Sequence, residues 1–398
     1  MAREFGIFLY LRFIALIFSF YRPFPVKRKV VMVVSFAENN LEIYKEMKKH
    51  SISYNTVFLT PKKEYPSFSK FNEATTLLFD IRYFFQFLRA MYHLSTAKVI
   101  LVDNYYGFLA SARFKKGVKC IQLWHANGAI KKFGLEDHSI HTRTKSAKMR
   151  FKKVYDKFDH VIVGSDAMGE IFKHAFGIDE TRILKTGFPR TDVFLKEDEQ
   201  EKAIEKVYTV YPELQTKKVL LYAPTYRDEE LHSFELKLNL EALKMELGND
   251  YVLVLRLHPA VINDIGLDNK LDGFVVNCSN YPNLNDLLFI TDILITDYSS
   301  IPFEYSFFSK PMIFYPYDLS DYTKSRGLWE NYEKLVPGPI VYSTEELISI
   351  IKEDDFDYAR LVEFHLKWNQ YSQGESSKNI VTFLTNYLEG KGKKIYSS

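Results

Sequence analysis

The chain of 398 residues is long enough for two domains with sizeable hydrophobic cores. A hydrophobic content of 46% and a charged content of 26% are typical of a globular protein and exclude a disordered one. The net charge of +3 is too small to indicate nucleic acid as a partner, and the distant cysteines Cys120 and Cys278 are predicted to be buried free thiols.

The first apolar segment runs from Phe5 to Phe20 and is interrupted by Arg12. It is shorter than the ~20 residues that a membrane-spanning helix needs. Basic residues flank it, and residues 21–25 make a poor signal-peptide cleavage site. We therefore expect an amino-terminal helix in the membrane interface, with its cations on an anionic surface, as in a peripheral protein of the cytoplasmic face of the cell membrane. A buried packing helix and a true span are the alternatives.

From Lys29 onward, short apolar runs alternate with helix-compatible segments, which predicts parallel sheets with helices on both faces. The predicted strands form two series, 30–35, 55–59, 99–102, 118–123 and 161–163, then 219–222, 252–255, 274–276, 293–295 and 312–315. A polar, helix-prone region at 196–217 separates the series. The prediction is an α/β protein with two Rossmann-like domains facing across a cleft. Residues 1–28 would form the membrane helix and linker, 29–200 the first domain and 201–390 the second.

The segment at 122–134, QLWHANGAIKKFG, comes directly off a predicted strand of the first domain. His125 should therefore lie at the carboxyl edge of the sheet, where a neutral imidazole could accept a proton from an attacking hydroxyl. Lys131 and Lys132 place positive charge near it, and Gly128 gives backbone freedom. A purely structural histidine is the alternative.

Three polar motifs end strands of the second domain: APTYRD at 223–228, RLHP at 256–259 and TDYSS at 296–300. Because the carboxyl ends of parallel strands meet at one edge, two arginines, a histidine and several hydroxyls should converge there, a composition that favours a pyrophosphate. Ser299 or Ser300 should cap a following helix, whose free N–H groups form an anion site. A capped helix in an ordinary α/β core is the alternative.

Other ligand classes lack support in the sequence. Neither a Walker loop nor a GxGxxG motif follows any predicted strand, which argues against an NTPase and an NAD enzyme. A zinc site is not expected, and Asp355-Phe-Asp357 is interpreted as surface charge in a helix-like segment. We predict no metal and no cofactor, while stimulation by Mg²⁺ is left open.

The segments WHANGAIKKFG at 124–134, APTYRD, RLHP and TDYSS resemble, in this order, the CDP-glycerol glycerophosphotransferase family. The resemblance covers roughly residues 95–390 and includes SRGL at 325–328. It implies a GT-B-type fold and an enzyme of wall teichoic acid synthesis. Such enzymes transfer glycerol phosphate from CDP-glycerol to a lipid-linked acceptor and release CMP.

The resemblance also implies roles for individual residues. His125 would be the base on the acceptor hydroxyl, and His258 would act with it as a second catalytic histidine near the donor phosphates. The remaining residues divide into a donor-phosphate set, Thr225, Arg227, Arg256, Asp297, Ser299 and Ser300, and an acceptor-side set, Asn127, Lys131 and Lys132.

Two departures point to one branch of the family. Polymerase-type members usually carry glycine after the histidine, where this chain has Ala126, and they have a long amino-terminal extension. Both departures favour a primase acting on an undecaprenyl-diphosphate-linked N-acetylmannosaminyl-N-acetylglucosamine disaccharide. The alternatives are a CDP-alditol polymerase, a ribitol-phosphate transferase, a GT-B glycosyltransferase using a UDP-sugar, and a non-enzymatic membrane-bound nucleotide-binding protein. The oligomeric state, including a homo-oligomer, is left open.

Overall fold

The computed structural model describes residues 2–50, 54–227, 236–257 and 269–391, and these fall into two compact units. Unit 1 comprises residues 1–127, 133–192 and 370–398, and unit 2 comprises residues 128–132 and 193–369. The break at 192 lies within about ten residues of the predicted boundary at 200. The end of the predicted second domain belongs to unit 1 instead, because the helix at 376–388 packs on the helix at 37–49.

Each unit contains a single parallel sheet in its described part. Unit 1 holds β1 (Lys29–Val33), β2 (Asn55–Thr60), β3 (Thr75–Leu78), β4 (Val99–Val102), β5 (Lys119–Gln122), β6 (His160–Ile162) and β7 (Ile183–Leu184). Unit 2 holds β8 (Lys218–Ala223), β9 (Tyr251–Leu255), β10 (Val275–Asn277), β11 (Ile293–Thr296) and β12 (Met312–Phe314). Every residue of β1 is buried, as expected for a parallel strand covered on both faces.

One helix precedes the first strand, others lie between strands along the chain, and five follow the last described strand. They are α1 (Ala2–Phe20), α2 (Ala37–Lys49), α3 (Tyr65–Ser69), α4 (Phe84–Thr96), α5 (Lys145–Tyr155), α6 (Asp166–Phe176), α7 (Glu197–Val210), α8 (Leu240–Leu247), α9 (Leu284–Ile290), α10 (Ile301–Tyr305), α11 (Leu319–Arg326), α12 (Tyr332–Leu335), α13 (Thr344–Glu353), α14 (Tyr358–Trp368) and α15 (Ser376–Leu388).

The strand order creates one switch point in each sheet. In unit 1 the order is β3-β2-β1-β4-β5-β6-β7, so the connections run one way from β1 and the other way from β4. In unit 2 the order is β10-β9-β8-β11-β12, which places the switch between β8 and β11. Ligands of open α/β sheets bind beyond the carboxyl ends of the strands at such a switch point. The residues that follow β1, β4, β8 and β11 are therefore the first candidates for a site.

The predicted strands are all present, and the sequence interpretation overlooked only β3 and β7 among the described strands. Both lie at the outer edges of the unit 1 sheet. β3 is mostly half-buried and β7 has only two residues, so neither carries the long apolar run that marked the central strands. The cysteines are free and buried, as predicted.

The amino-terminal segment forms α1, which packs against the rest of unit 1 with Ile14, Ile17 and Phe18 buried. Glu4 adds an ion pair to Arg150 of α5, with 2.6 Å between the carboxylate and Nη1. Other apolar side chains of the helix are exposed: Phe5, Phe8, Leu9, Leu16 and Phe20. Among the described residues, no helix combines the length and the apolar character needed to cross a bilayer.

Candidate functional site

His125 lies just past the end of β5, beside the switch point of unit 1. Its imidazole is sandwiched between two aromatic rings. The ring of Phe36 stacks on it at 4.4 Å between centroids, and the ring of Trp124 stacks on it at 4.6 Å. These contacts bury the imidazole, and this burial lowers the pKa of His125 to about 4. The side chain is therefore neutral near pH 7.

The tautomer of His125 follows from its hydrogen bond. Nδ1 lies 3.2 Å from the main-chain oxygen of Asp103. Because a carbonyl oxygen only accepts, Nδ1 must carry the proton and donate it. Nε2 then keeps its lone pair, and it has no hydrogen-bond partner among the residues that the structure describes. This is the form that a general base requires, as the sequence predicted for this residue.

The backbone that carries the imidazole is held in a strained turn. Trp124 adopts a left-handed conformation with φ of 54°, which is uncommon for a residue with a side chain. Its N–H donates to Oε1 of Gln122 at 2.8 Å, and its carbonyl accepts from Nδ2 of Asn39 at 3.0 Å. The guanidinium of Arg190 donates to the carbonyl of His125. These bonds fix where the imidazole points.

The predicted acceptor-side lysines belong to unit 2, although they follow His125 closely in sequence. Lys131 forms an antiparallel bridge with Leu328, and the N–H of Lys132 donates to the carbonyl of Gly327 at 3.0 Å. The ammonium of Lys132 lies 5.9 Å from the ring centre of Trp329. The SRGL motif at 325–328 therefore has a structural partner in the IKK part of the histidine motif. Acceptor binding by the lysines stays a prediction.

Gly128 and Asn127 have packing roles that differ from the predicted ones. A Cβ on Gly128 would lie 2.3 Å from the ring of Phe303, so close approach, more than backbone freedom, requires glycine here. Asn127 is fully buried in unit 1, against Gly164. Its burial favours a structural role over the predicted contact with an acceptor.

In unit 2, the ends of β8 and β11 are joined at the switch point. The hydroxyl of Thr296 donates to the carbonyl of Ala223 at 2.7 Å, and the N–H of Thr225 donates to Oδ1 of Asp297 at 2.8 Å. Asp297 is 1% exposed, and this burial raises the pKa of its carboxyl group. The predicted donor-phosphate residues Thr225 and Asp297 thus shape the edge through bonds to each other.

Arg227, one of the predicted phosphate ligands, has most of its donors engaged within unit 2. Its guanidinium donates to Asp297 at 3.0 Å and, in a bidentate manner, to Asp318 at 2.8 Å, and it also bonds the carbonyl of Thr225. The side chain is 10% exposed, and the rings of Tyr298, Tyr317 and Tyr322 surround it at 4.9 to 5.1 Å. Because its donors are used internally, Arg227 organises the edge and leaves little for a phosphate.

Arg256 differs from Arg227 in this respect. Among the described residues, its bonds are those of Nη1 with the carbonyls of Cys278 at 2.9 Å and of Ser279. Its Nε and Nη2 have no partner among the described residues. Arg256 follows β9, the neighbour of β8, and it keeps donors for an anion. The predicted catalytic residue His258 lies outside the described residues.

The Ser pair of the TDYSS motif divides into two roles. The hydroxyl of Ser299 lies 2.9 Å from that of Thr296 and accepts from the N–H of Ile301 at 3.4 Å. Ser300 occupies the N-cap position of α10, but its side chain makes no capping bond. The half-buried Ser300 hydroxyl is therefore the more available of the two. Since α10 has only five residues, its dipole is a smaller source of anion binding than the sequence predicted.

The acidic segment at 355–357 is not helical, contrary to the prediction. It lies between α13 and α14, and Oδ1 of Asp357 caps α14 by accepting from the N–H of Arg360 at 3.0 Å. No group of three or more His, Cys, Asp or Glu side chains in the described part of the chain is arranged to hold a metal ion.

Two α/β units, each with a parallel sheet, one carrying a neutral histidine and the other an arginine and hydroxyls at the strand ends, fit a transferase with a GT-B-type fold. The chain matches the family model of CDP-glycerol:poly(glycerophosphate) glycerophosphotransferase over residues 16–386. It therefore belongs to this family and is an enzyme, a glycerophosphotransferase. The family predicted from the four motifs is confirmed.

The similar proteins of known name are teichoic acid primases and polymerases. The teichoic acid glycerol-phosphate primase of Bacillus subtilis (strain 168) is 39% identical, over 95% of this chain and 97% of that protein. The primase of the same name from Bacillus spizizenii is 33% identical over 95% and 97%. The teichoic acid ribitol-phosphate primase of Bacillus spizizenii is 34% identical over 92% of each. Together they identify the chain as a transferase of teichoic acid biosynthesis.

A solved structure supports the same fold. The wall teichoic acid polymerase TagF superposes with a TM-score of 0.80 at 26% identity, covering 98% of this chain and 99% of that one. This similarity confirms the α/β fold with parallel sheets of the GT-B type. The facing of the two domains across a cleft and the membrane-associating helix stay predictions.

Proposed function

We propose that this enzyme is a teichoic acid glycerol-phosphate primase. It transfers sn-glycerol 3-phosphate from CDP-glycerol to a hydroxyl of the undecaprenyl-diphosphate-linked N-acetylmannosaminyl-N-acetylglucosamine disaccharide and releases CMP. The observation that carries this proposal is the end-to-end similarity to two glycerol-phosphate primases, each over 95% of the chain. A TagF structure soaked with CDPG, 26% identical to this chain, supports the choice of donor.

The acceptor side of the reaction is assigned to His125. The acceptor oxygen attacks the β-phosphorus of CDP-glycerol in line, and its proton passes to Nε2 of His125. The new O–P bond replaces the bond to the bridging oxygen, which leaves with CMP. A base that is neutral and holds its proton on Nδ1 supports this role. Such help contributes about 10²–10⁴-fold to the rate.

The donor side is assigned to the switch point of unit 2. Charge gathers on the phosphates as the P–O bond breaks, and fixed cations and hydroxyls stabilise that charge. Arg256 supplies two guanidinium nitrogens that have no partner among the described residues. Ser300 supplies a hydroxyl, and His258 is retained as a proposed second catalytic residue. Arg227 and Asp297 hold the loops that present these groups.

The donor test compares three substrates with one acceptor. The full-length protein is incubated with a lipid-linked disaccharide and CDP-glycerol, CDP-ribitol or a UDP-sugar. We expect acceptor-dependent CMP release with CDP-glycerol and no UDP release from the UDP-sugar. Acceptor-dependent release of UDP would assign the protein to the glycosyltransferases instead. Absence of acceptor-dependent CMP release with both CDP-glycerol and CDP-ribitol would contradict the proposed donor and acceptor.

A ribitol-phosphate transferase is the second candidate, because the ribitol-phosphate primase matches the chain at 34% identity. Both candidates use the same chemistry at the β-phosphorus and differ in the length of the alditol. Preference for CDP-ribitol over CDP-glycerol in the same assay would select this candidate. The identity of 39% to the glycerol enzyme favours glycerol.

For location, we propose a peripheral association of α1 with the anionic cytoplasmic face of the cell membrane. Phe5, Leu16 and Phe20 are 63%, 69% and 72% exposed, although they lie on a helix whose other side packs on unit 1. Arg3, Arg12 and the basic residues after the helix supply charge for anionic head groups. Because the proposed acceptor is lipid-linked and lies in the membrane, such a helix would bring the enzyme to its substrate.

A further inference from the structure

The loop after β1 and the loop after β4 meet at a carboxylate that the proposed reaction does not use. Asp103 follows β4 directly, and its side chain is buried, with the residue 1% exposed. β1 and β4 are neighbours at the switch point of unit 1. The carboxylate of Asp103 therefore faces residues that are about 67 positions away in sequence.

Four donors converge on the Asp103 carboxylate. The N–H groups of Ser35 and Phe36 donate to it at 2.9 and 3.0 Å, and Nδ2 of Asn40 donates at 3.0 Å. The hydroxyl of Tyr106 donates at 2.6 Å. Phe36 stands at the N-cap position of α2 and has no side-chain oxygen to serve as a cap. The carboxylate holds the two main-chain N–H groups that directly precede α2, and its negative charge lies near the amino-terminal end of the helix.

The same residue also touches His125 through its main chain. Its carbonyl accepts the Nδ1–H bond at 3.2 Å. Its carboxylate fixes Phe36, whose ring stacks on the imidazole at 4.4 Å with 24° between the planes. Asp103 thus sets the tautomer of the imidazole directly through its carbonyl, and it sets the plane of the ring indirectly through Phe36.

We propose that Asp103 is a positioning residue that holds His125 as the Nδ1–H tautomer, with Nε2 directed at the acceptor. This inference rests on the proposed role of His125 as the base. The carboxylate locks the loop that bears Phe36, and the carbonyl locks Nδ1. Misplacement of a base by about 1 Å lowers turnover by roughly a hundredfold.

Charges around the imidazole set the direction of the expected changes. Burial is the largest cause of the lowered pKa of His125, and the hydrogen bond to the carbonyl of Asp103 opposes it. Arg190 lowers the same pKa and Glu38 raises it. Asp103→Asn removes one carboxylate oxygen, and its new NH₂ group cannot accept from the N–H groups or the amide. The loop at Phe36 then loosens and the imidazole gains solvent. Its pKa should rise from about 4 toward the ordinary value of ~6.5.

The test reads the imidazole itself in the full-length protein. Histidine is labelled with ¹⁵N, the His125 signals are assigned by their loss in His125→Ala, and the two ring nitrogens are followed from pH 5 to 8. In the wild type, Nδ1 should be protonated and Nε2 unprotonated between pH 7 and 8, where Asp103 is ionised, because burial raises the pKa of its carboxyl group to about 6. In Asp103→Asn and in Phe36→Leu, we expect the pKa of His125 to rise by at least one unit and both neutral tautomers to be populated. We also expect kcat to fall tenfold or more.

Asp159→Asn is the matched control. Asp159 also accepts a main-chain N–H of a neighbouring strand, that of Cys120 at 2.8 Å, but it lies before β6, away from the carboxyl edge. This variant should leave the His125 signals and kcat unchanged. Wild-type tautomer and titration in both Asp103→Asn and Phe36→Leu would overturn the proposal, and Phe36→Leu keeps the test valid if Asp103→Asn does not fold. Full turnover in His125→Ala would instead contradict the role of His125 as the base. The NMR measurements of the imidazole would still test whether Asp103 positions it.

Discussion

Arg227 and Asp297 form a buried ion pair at the switch point of unit 2, with 3.0 Å between Nη1 and Oδ2. The motifs that carry them were both expected to touch phosphate, but in the structure they bind each other. Asp318 completes the set by accepting from Nε and Nη2 of the same guanidinium. A buried pair of this kind is costly to break, because each partner would remain desolvated without compensation. The pair therefore maintains the edge at which Arg256 is available.

Replacing Arg227 should mainly reduce the stability of the protein, whereas replacing Arg256 should mainly reduce its activity. Arg227→Ala leaves Asp297 buried without its cation, and we expect the free energy of unfolding to fall by about 3–5 kcal/mol. Arg256→Ala removes a half-buried side chain and should lower kcat at least tenfold with a loss of about 1 kcal/mol or less. Urea denaturation and the CMP-release assay measure the two effects. Equal destabilisation by both variants, with normal turnover in Arg256→Ala, would contradict this division.

Gly128 should tolerate alanine only if its neighbour becomes smaller. The added methyl group would meet the ring of Phe303 at 2.3 Å, so Gly128→Ala should destabilise the protein by about 1–3 kcal/mol. Phe303→Leu makes room for it, and the double variant should be more stable than the sum of the single effects predicts. Thermal unfolding of the four proteins closes the cycle. If the stability changes of the two single variants add up to that of the double variant, the added methyl group does not clash with the ring of Phe303.

The pH dependence of turnover should reveal the lowered pKa of His125. The neutral imidazole is the base, so kcat should rise as the pH increases through about 4 and stay level near neutrality. An acid limb centred near the ordinary histidine value of ~6.5 would show that the ring is solvated during turnover. His125→Ala should reduce kcat at least a hundredfold and abolish this limb. Its affinity for CDP-glycerol, measured by calorimetry, should be unchanged.

Membrane binding should depend on the exposed side of α1. Replacing Phe8, Leu16 and Phe20 with serine leaves the packed residues of the helix in place and should weaken binding to phosphatidylglycerol vesicles at least tenfold. Met245→Ser, at a residue of α8 that is 76% exposed, is a control for loss of exposed apolar surface elsewhere. Sedimentation with vesicles at moderate salt gives the bound fraction. Equal binding by the triple variant and the wild type would point to another surface.

Much of the fold follows from the sequence because buried parallel strands are continuous apolar runs. The run at 99–102 became β4 without change, and His125 and Arg256 were found because polar residues directly after such runs reach the carboxyl edge. The edge strand β7 was missed because two residues give no periodicity.

The remaining features depend on contacts between distant parts of the chain. Asp103 and Phe36 meet only because β1 and β4 are neighbours, and no local pattern records that strand order. In the same way, the sequence predicts Arg227 as a phosphate ligand because it does not reveal the hydrogen bond from Arg227 to Asp318, 91 positions away. The assignment of residues 128–132 to unit 2 also follows from a distant partner, at 327–329.

The most direct test of the proposed function is the mass of the product formed on a defined undecaprenyl-diphosphate disaccharide with excess CDP-glycerol. We predict a gain of one glycerol phosphate per acceptor, with one CMP released for each, and loss of this product in His125→Ala. Gain of a sugar, or no gain while the protein still binds the nucleotide, would contradict the account.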